Sequence, residues 1–328
     1  MESIKSFKAQ LFSINDLNFK ENALQLFKYQ ATHNKIYAAY ILALGIVPEA
    51  INDLSKIPFL PISFFKNHPI KTGEWEEEMI FESSGTTGEN TSKMYVEDLA
   101  FYQKVAVNIF QKMYGNLSDF NVLALLPSYL ERKNASLVYM TDDFIKKSND
   151  SGFFLDDMPA LVKKLTKTKE PNLKTLLIGV SFALLDLAET YQLELKNTII
   201  METGGMKGRR KELTRHELHM ILRDSFGLKT IHSEYGMTEL TSQAYSQENG
   251  LFHTPPWMQI SVRDINDPFY KVKKGKSGGI NIIDLANIAT CAFIETKDLG
   301  RLHDNNSFEV LGRFDNSDVR GCNLMMID

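Results

Sequence analysis

Cysteine is nearly missing from this chain. Only Cys291 and Cys322 occur in 328 residues, with no C-x-x-C pair, which excludes a disulfide framework and a cysteine-built zinc site and points to a reducing cytoplasm. Long apolar runs are missing too. The amino terminus, MESIKSFKAQLF, lacks the hydrophobic stretch of a signal peptide, and the longest apolar segments, 37–47 and 176–185, fall short of the roughly 20 residues that span a bilayer. No membrane span is expected. A surplus of basic charge is absent as well: the formal net charge is -4 and the sequence pI about 6.0, so nothing global favours nucleic acid or an anionic membrane as a partner. No internal repeat and no low-complexity linker interrupts the chain.

What is present is the composition of a folded protein, 43% hydrophobic, 11% aromatic and 24% charged, in a chain long enough for two units or for one large α/β domain with an appendage. Leu24, Phe27, Ala31, Ala38 and Ile41 recur at helical spacing, broken only by Asn34, so a single amphipathic helix is expected up to Gly45 and Pro48. Pro58, Pro61 and Pro69 then predict an extended segment that wraps the domain and buries Phe59, Phe64 and Phe65. From about 120 to 235, β-like runs at 122–127, 175–180, 197–203 and 228–234 alternate with helical patterns at 98–114, 156–168, 182–191 and 211–225. That alternation predicts parallel strands covered by helices. Beyond about 250 only short strands separated by Gly, Pro and Asp turns remain, which predicts an antiparallel or barrel-like portion.

Short charge runs at 74–78, 163–169, 207–211 and 271–276 read as solvated faces, with the run around Lys207, Arg209 and Arg210 set apart because it follows a glycine pair. The densest local signal is Ser83-Ser84-Gly85-Thr86-Thr87-Gly88. Interleaved hydroxyls and glycines offer backbone N–H groups to an anion without a Cβ in the way, so the loop suits a polyphosphate, or else is a polar turn. It is not the G-x-x-x-x-G-K-[ST] loop, since Lys93 stands five residues beyond Gly88. A second signal is His232-Ser233-Glu234-Tyr235-Gly236-Met237-Thr238-Glu239, which combines an oxygen ligand for a hard cation, a hydroxyl donor and an aromatic surface, or forms an ordinary strand-end turn. Asp298 in the run T-K-D-L-G-R and Arg313 in G-R-F-D stand at further strand ends.

In this order and at these intervals, the four pieces resemble the motif series of adenylate-forming enzymes. Phe27-Lys28-Tyr29-Gln30, the Ile57-Pro58-Phe59-Leu60-Pro61 segment with Phe64-Phe65-Lys66, the loop after Phe81 and the Tyr235–Glu239 pentapeptide are similar to the acyl-protein synthetase (LuxE) family, with phenylacetate-CoA ligases as more distant relatives. The resemblance implies an α/β fold: the large domain of an adenylate-forming enzyme, with helix-covered, mostly parallel sheets followed by a β-rich, barrel-like portion, and without the C-terminal lid domain. On that reading residues 1–80 are an N-terminal helical and extended wrapping segment and 81–245 the α/β nucleotide-binding part. Residues 246–315 are the β-rich part completing the site, and 316–328 a short strand after the hinge.

It also implies a ligase that uses ATP and Mg²⁺ to activate a carboxylic acid, a long-chain fatty acid in that family, and passes the acyl group to a protein thiol or other acceptor. An acyl-acceptor protein or a reductase would be the partner. Ser83, Ser84, Gly85, Thr86, Thr87 and Gly88 would embrace the β- and γ-phosphates, with Lys93 as a nearby cation. Thr238 would bond the α-phosphate, Glu239 hold the metal, and Tyr235 stack on adenine beside Gly236, with Gly204, Gly205 and Met206 lining the other side of the base. Asp298 would accept the ribose hydroxyls, and Arg313 reach the ribose or a phosphate.

The chain departs from the wider pattern by ending thirteen residues beyond Asp315, where relatives continue into a lid that carries a lysine. The absent lid motivates a second reading, a non-catalytic nucleotide- or acyl-binding subunit that scaffolds a partner. Cys322 stands near the end, where this family carries its acyl group on cysteine, or is an inert thiol, and Cys291 belongs to an apolar run. A rival enzyme class rests on Gly179-Val180-Ser181-Phe182-Ala183, a strand-to-helix junction at which Ser181 would be a nucleophile with His216, His232 or His253 as base, or simply an N-cap. Arg215-His216-Glu217-Leu218-His219 lacks the H-E-x-x-H spacing of a zinc helix.

Overall fold

The computed structural model describes residues 3–83, 91–126, 134–155, 157–167, 173–204 and 213–313. Their helices are α1 (Ile4–Gln10), α2 (Phe19–His33), α3 (Lys35–Ala43), α4 (Phe64–Asn67), α5 (Leu99–Tyr114), α6 (Ser136–Lys146), α7 (Met158–Thr166), α8 (Ser181–Thr190) and α9 (Arg215–Phe226). The strands are β1 (Leu60–Pro61), β2 (Met79–Glu82), β3 (Lys93–Val96), β4 (Phe120–Leu125), β5 (Gly152–Phe153), β6 (Lys174–Val180) and β7 (Thr198–Thr203). They continue as β8 (His232–Tyr235), β9 (Ala244–Ser246), β10 (Met258–Arg263), β11 (Ser277–Asp284), β12 (Phe293–Leu302) and β13 (Phe308–Arg313).

Six strands form a sheet in the order β5-β4-β6-β7-β8-β9, parallel except for the β8–β9 pair. Leu176, Leu177, Ile178 and Val180 of β6 are completely buried, as an unbroken apolar strand must be when helices cover both faces. The covering helices are specified locally. In α5, Tyr102, Val105, Ala106, Ile109 and Phe110 form the buried stripe, and the Asp98 carboxylate accepts the Phe101 amide at 2.8 Å to start it. In α9, Thr214 and Glu217 form a reciprocal capping box.

The second sheet contains β1, β12, β11 and β10 in that order, with β13 on the same edge of β12 as β1. All its pairs are antiparallel except β1–β12. Of the two expected forms it takes the antiparallel one, and among the described residues it is an open sheet and not a closed barrel. The outer edge of β10 is covered by the loop that follows it, through Val272 N to the Val262 carbonyl at 2.9 Å and Asp264 N to the Tyr270 carbonyl at 2.8 Å. A two-stranded hairpin, β2–β3, stands apart, while one apolar cluster extends from Phe7 to Phe308.

Three local readings need correction. The expected first helix is two helices, α2 and α3, because Asn34 leaves the helical region (φ -102°, ψ 105°) and bridges to Thr72. Its side chain accepts the Tyr37 amide to start α3 and donates to the Thr290 carbonyl at 2.9 Å. The segment expected to be wholly extended contributes strand β1 but also the single-turn helix α4; Phe65 is buried, whereas Phe59 and Phe64 are only partly so. Finally, α6 has no counterpart among the helical patterns read from the sequence, although Val138, Met140, Thr141 and Phe144 form its buried face.

Candidate functional site

The strand ends β7 and β8, the turn after β8, the neck of the β2–β3 hairpin and the β12–β13 pair converge at one place. Tyr235 ends β8, and its hydroxyl donates to Asp298 Oδ2 at 2.7 Å. The ring is buried between Phe252 (centroids 5.8 Å) and Phe308 (5.5 Å, edge-on). Asp298 lies opposite Arg313 in the β12–β13 register, with Arg313 Nε 3.3 Å from Asp298 Oδ1. Burial pushes the Asp298 carboxyl up, against the Tyr235 hydrogen bond and the charges of Arg313, Arg215 and Arg263. The Arg313 side chain is 69% exposed, so one fixed carboxylate stands beside one accessible cation.

Glu239 is buried on the turn after β8. Burial raises its pKa, while a hydrogen bond from the Ser92 side chain and the Arg313 charge pull it back. Ser92 also closes the neck of the hairpin loop: its amide donates to Ser83 Oγ at 2.9 Å, and its carbonyl accepts the Ser83 amide at 3.0 Å. The base of the loop that carries Ser84, Gly85, Thr86, Thr87 and Gly88 is thereby clamped beside Glu239, while those five residues lie outside the described residues. Gly205, Met206, Lys207, Arg209, Arg210, Asp315 and Cys322 lie outside them as well. Thr238 is half-buried in the 237–240 turn, closed by Leu240 N to the Met237 carbonyl at 3.1 Å. From the loop after β11, Asn287 Nδ2 donates to the Glu239 carbonyl at 2.8 Å and Asn287 Oδ1 accepts the Thr241 amide at 2.7 Å. Lys93 follows Ser92 but faces Glu82, its cross-strand partner, at 3.7 Å.

One glycine is favoured by its backbone: Gly204 holds φ +67° at the end of β7, while a Cβ on Gly236 would stand 2.3 Å from Glu234 Oε1 and make that carboxylate shift. Beneath them lies a second carboxylate pair that the motifs did not mark. Burial pushes Glu202 up, but hydrogen bonds from His219 and Ser233 and the Arg215 charge outweigh it and bring the group to about 2. Arg215 Nε lies 2.9 Å from Glu202 Oε1, and Arg215 Nη1 reaches the Val310 carbonyl at 3.0 Å. Glu234, one strand away, is pushed up to about 7 by burial, opposed by a hydrogen bond from Thr203 and reinforced by Glu202. The cluster is concealed because Glu202 reads in sequence as ordinary strand polarity, although Ser233 and Glu234 stand within the second sequence signal.

The serine rival finds no base here. Ser181 Oγ donates to the Gly204 carbonyl at 3.1 Å and to Glu202 at 3.3 Å. Among the described residues none of its three candidate histidines bonds to it. His216 and His253 are exposed, and His232, pushed down to about 4 by burial, meets the Tyr114 hydroxyl at 3.2 Å. His219 turns inward to Ser233 and Glu202 while His216 faces solvent, so the pair does not converge on an ion. The Cys291 thiol is buried and pushed up to about 12, and no helix among the described residues is long and apolar enough to cross a membrane.

Comparison with known proteins places this geometry. Residues 13–328 match the family model described as acyl-protein synthetase, LuxE. A long-chain-fatty-acid–luciferin-component ligase of Vibrio harveyi is 23% identical, over 92% of this chain and 85% of that protein. Among solved structures, 2-hydroxyisobutyryl-CoA ligase in complex with 2-HIB-AMP and CoA aligns with a TM-score of 0.69 at 14% identity, covering 92% of this chain and 70% of the other. ATP-bound MatB from Rhodopseudomonas palustris aligns with a TM-score of 0.55 at 16% identity, covering 73% of this chain; the chain spans about half, 49%, of that protein's length. The fold is therefore that of adenylate-forming enzymes, and the chain belongs to the acyl-protein synthetase (LuxE) family.

Proposed function

We propose that this protein activates a long-chain carboxylic acid with ATP, forming an acyl-adenylate and then transferring the acyl group to an acceptor. The reading is supported most by one observation: Ser83 and Ser92 at the neck of the hydroxyl- and glycine-rich loop, buried Glu239, and the Tyr235–Asp298–Arg313 chain come together where β8 ends and β12 pairs with β13, with the Arg313 charge felt by Glu239. A nucleotide lying across this network would place its ribose hydroxyls on Asp298, which accepts bidentately when ionised, and its phosphates toward Glu239 and the loop. Arg313 is free to turn from Asp298 toward ribose or phosphate, since most of its side chain is in solvent. Tyr235, held by its hydroxyl, would offer a ring edge to adenine beside Gly236, with Gly204 on the other side.

In the first half-reaction a carboxylate oxygen attacks the α-phosphorus, the bond from that phosphorus to the bridging oxygen breaks, and pyrophosphate leaves. The protein's task is to hold two anions in line and to offset the growing charge. In the second, an acceptor nucleophile attacks the acyl carbon and AMP departs, the nucleophile's proton going to solvent. The residues suit a magnesium ion in one respect. Among the described residues no group of three or more carboxylate, histidine or cysteine side chains could hold a metal, so an ion here would rest on Glu239 and the nucleotide's own phosphates, the usual arrangement for Mg²⁺. Such an ion would neutralise phosphate charge and favour the ionised form of Glu239 against the burial that pushes its carboxyl up.

The test is carboxylate-dependent pyrophosphate release, followed with ATP, Mg²⁺ and fatty acids of graded length, with labelled acyl-AMP as the second readout. Exchange that rises with one chain length is the expected result. Retained ATP binding with no turnover on any carboxylate would leave only the scaffolding alternative.

A further inference from the structure

We infer that the loop between β10 and β11 is a peripheral docking site for an anionic lipid surface. The inference goes beyond the proposed adenylation and does not depend on it. The chain as a whole carries a net charge of -4, which gives no global attraction to anionic lipid, but charge is not spread evenly. Within 264–276 stand Lys271, Lys273, Lys274 and Lys276, all exposed, directly after Phe269 and Tyr270, which are 61% and 59% exposed.

The loop is built to present these side chains. Asp264 N donates to the Tyr270 carbonyl at 2.8 Å, Tyr270 N to the Asp267 carbonyl at 3.1 Å, and Val272 N to the Val262 carbonyl at 2.9 Å. The two carboxylates nearby are spent inside the turn: Asp264 Oδ1 accepts the Asn266 amide at 2.8 Å, and Asp267 Oδ1 accepts the Phe269 amide at 3.0 Å. The backbone is thus satisfied while both rings are left in water, an arrangement that costs free energy unless something covers them. Behind the rings, a groove of about 180 Å³ is lined by Lys271, Lys273 and Lys274 over Ile260, Val262 and Leu302. Lys274 is anchored by Asn306 Oδ1 at 2.7 Å, and among the described residues no carboxylate pairs with Lys271, Lys273 or Lys276.

Exposed rings at a loop tip with lysines behind them match the depth profile of a bilayer surface, where aromatic side chains settle at the headgroup level and lysines meet anionic phosphates. An acidic protein would satisfy the same charges. A stable protein interface, however, needs roughly 800 Å² on each side with an apolar centre, and here the exposed apolar residues are two rings on one narrow turn.

The experiment is co-sedimentation of the full chain with vesicles of phosphatidylcholine alone, and of phosphatidylcholine mixed with phosphatidylglycerol, at low and high salt. Binding to the mixed vesicles only, weakened by salt, is expected. The double variant Lys271→Glu/Lys273→Glu should lower that binding by at least about tenfold, and Phe269→Ser/Tyr270→Ser should lower it without changing its salt dependence. Both variants should keep the far-UV circular dichroism and urea denaturation midpoint of the parent, which shows that they fold. Failure of the parent to bind mixed vesicles, or binding that survives the charge reversal, would overturn the inference. So would capture of a soluble acidic polypeptide by the parent, but not by the charge-reversed variant, in the absence of vesicle binding; that result would assign the loop to a protein partner.

Discussion

Gln30 and Asn34 lie in the helices that pack against the loop after β11, and their polar atoms are spent on backbone. Gln30 Nε2 donates to the carbonyls of Asn287 and Ile288 at 2.9 and 3.0 Å, and its Oε1 accepts the Ala292 amide at 2.9 Å. Asn34 likewise joins Tyr37, Thr72 and Thr290. On the other side of that same loop, Glu239, Asp298 and Glu234 are ionisable and buried, each bonded to a hydroxyl, with Arg313 paired to Asp298 at 3.3 Å. The first region is neutral and bonded to backbone, which makes it a scaffold. The second gathers carboxylates that burial pushes up, the kind of perturbed cluster that a charged ligand can complete. The two are joined through Asn287, which receives Gln30 on its carbonyl and holds the Glu239 turn with its side chain.

The comparison is broken most directly at Glu239. Glu239→Gln should lower pyrophosphate exchange by at least about a thousandfold with unchanged far-UV circular dichroism, since it removes charge without opening a cavity. Normal exchange would remove Glu239 from the site. Next in size, Gln30→Leu leaves a backbone amide and several carbonyls unpaired in a buried place and should cost about 3 kcal/mol of stability, read as a lower denaturation midpoint. The KM for ATP of the folded fraction should not change, and a raised KM would show that the scaffold and the site are not separate.

The two carboxylates beneath the site should differ in the sign of their pH dependence. Glu234, held up to about 7, keeps its proton in the folded state where the unfolded chain has lost it, so its contribution is full at low pH and fades as pH rises through 7. Glu202, held down to about 2, contributes above the ordinary carboxylate range and loses that contribution as pH falls toward 2. Glu234→Gln should therefore gain about 2 kcal/mol relative to the parent between pH 5 and pH 8 in urea denaturation. A difference independent of pH would mean that Glu234 is ionised throughout. The smallest effect is expected at Lys93. Its partner is the half-exposed Glu82 at 3.7 Å, so Lys93→Ala should change stability by less than about 1 kcal/mol and slow exchange by less than tenfold. A larger loss would place the ammonium on a phosphate.

Much of the parallel sheet is legible in the chain, because buried strands such as β6 are continuous apolar runs and their helices begin at recognisable caps. The break at Asn34 is not, since a helical stripe continues across it; only its buried bonds to Thr72 and to the carbonyl of Thr290, far away in sequence, explain why that residue leaves the helix. Tyr235, Glu239, Asp298 and Arg313 were visible as motif residues. Ser92, Asn287, Arg215 and Glu202 were not, because each acts through a partner brought to it by folding and carries no local signature.

By itself, the sequence determined the family, the alternation of strands and helices, and the residue types offered to a nucleotide, since these follow from local periodicity and the order of short motifs. Tertiary structure alone decided that the second sheet stays open, that the hairpin neck closes on Glu239 through Ser92, and that neighbouring glutamates are shifted in opposite directions. Those outcomes depend on desolvation and on contacts between residues up to 262 positions apart, such as Glu82 with Asn134 at shorter range and Gln30 with Ala292 far away, and no window of sequence contains them.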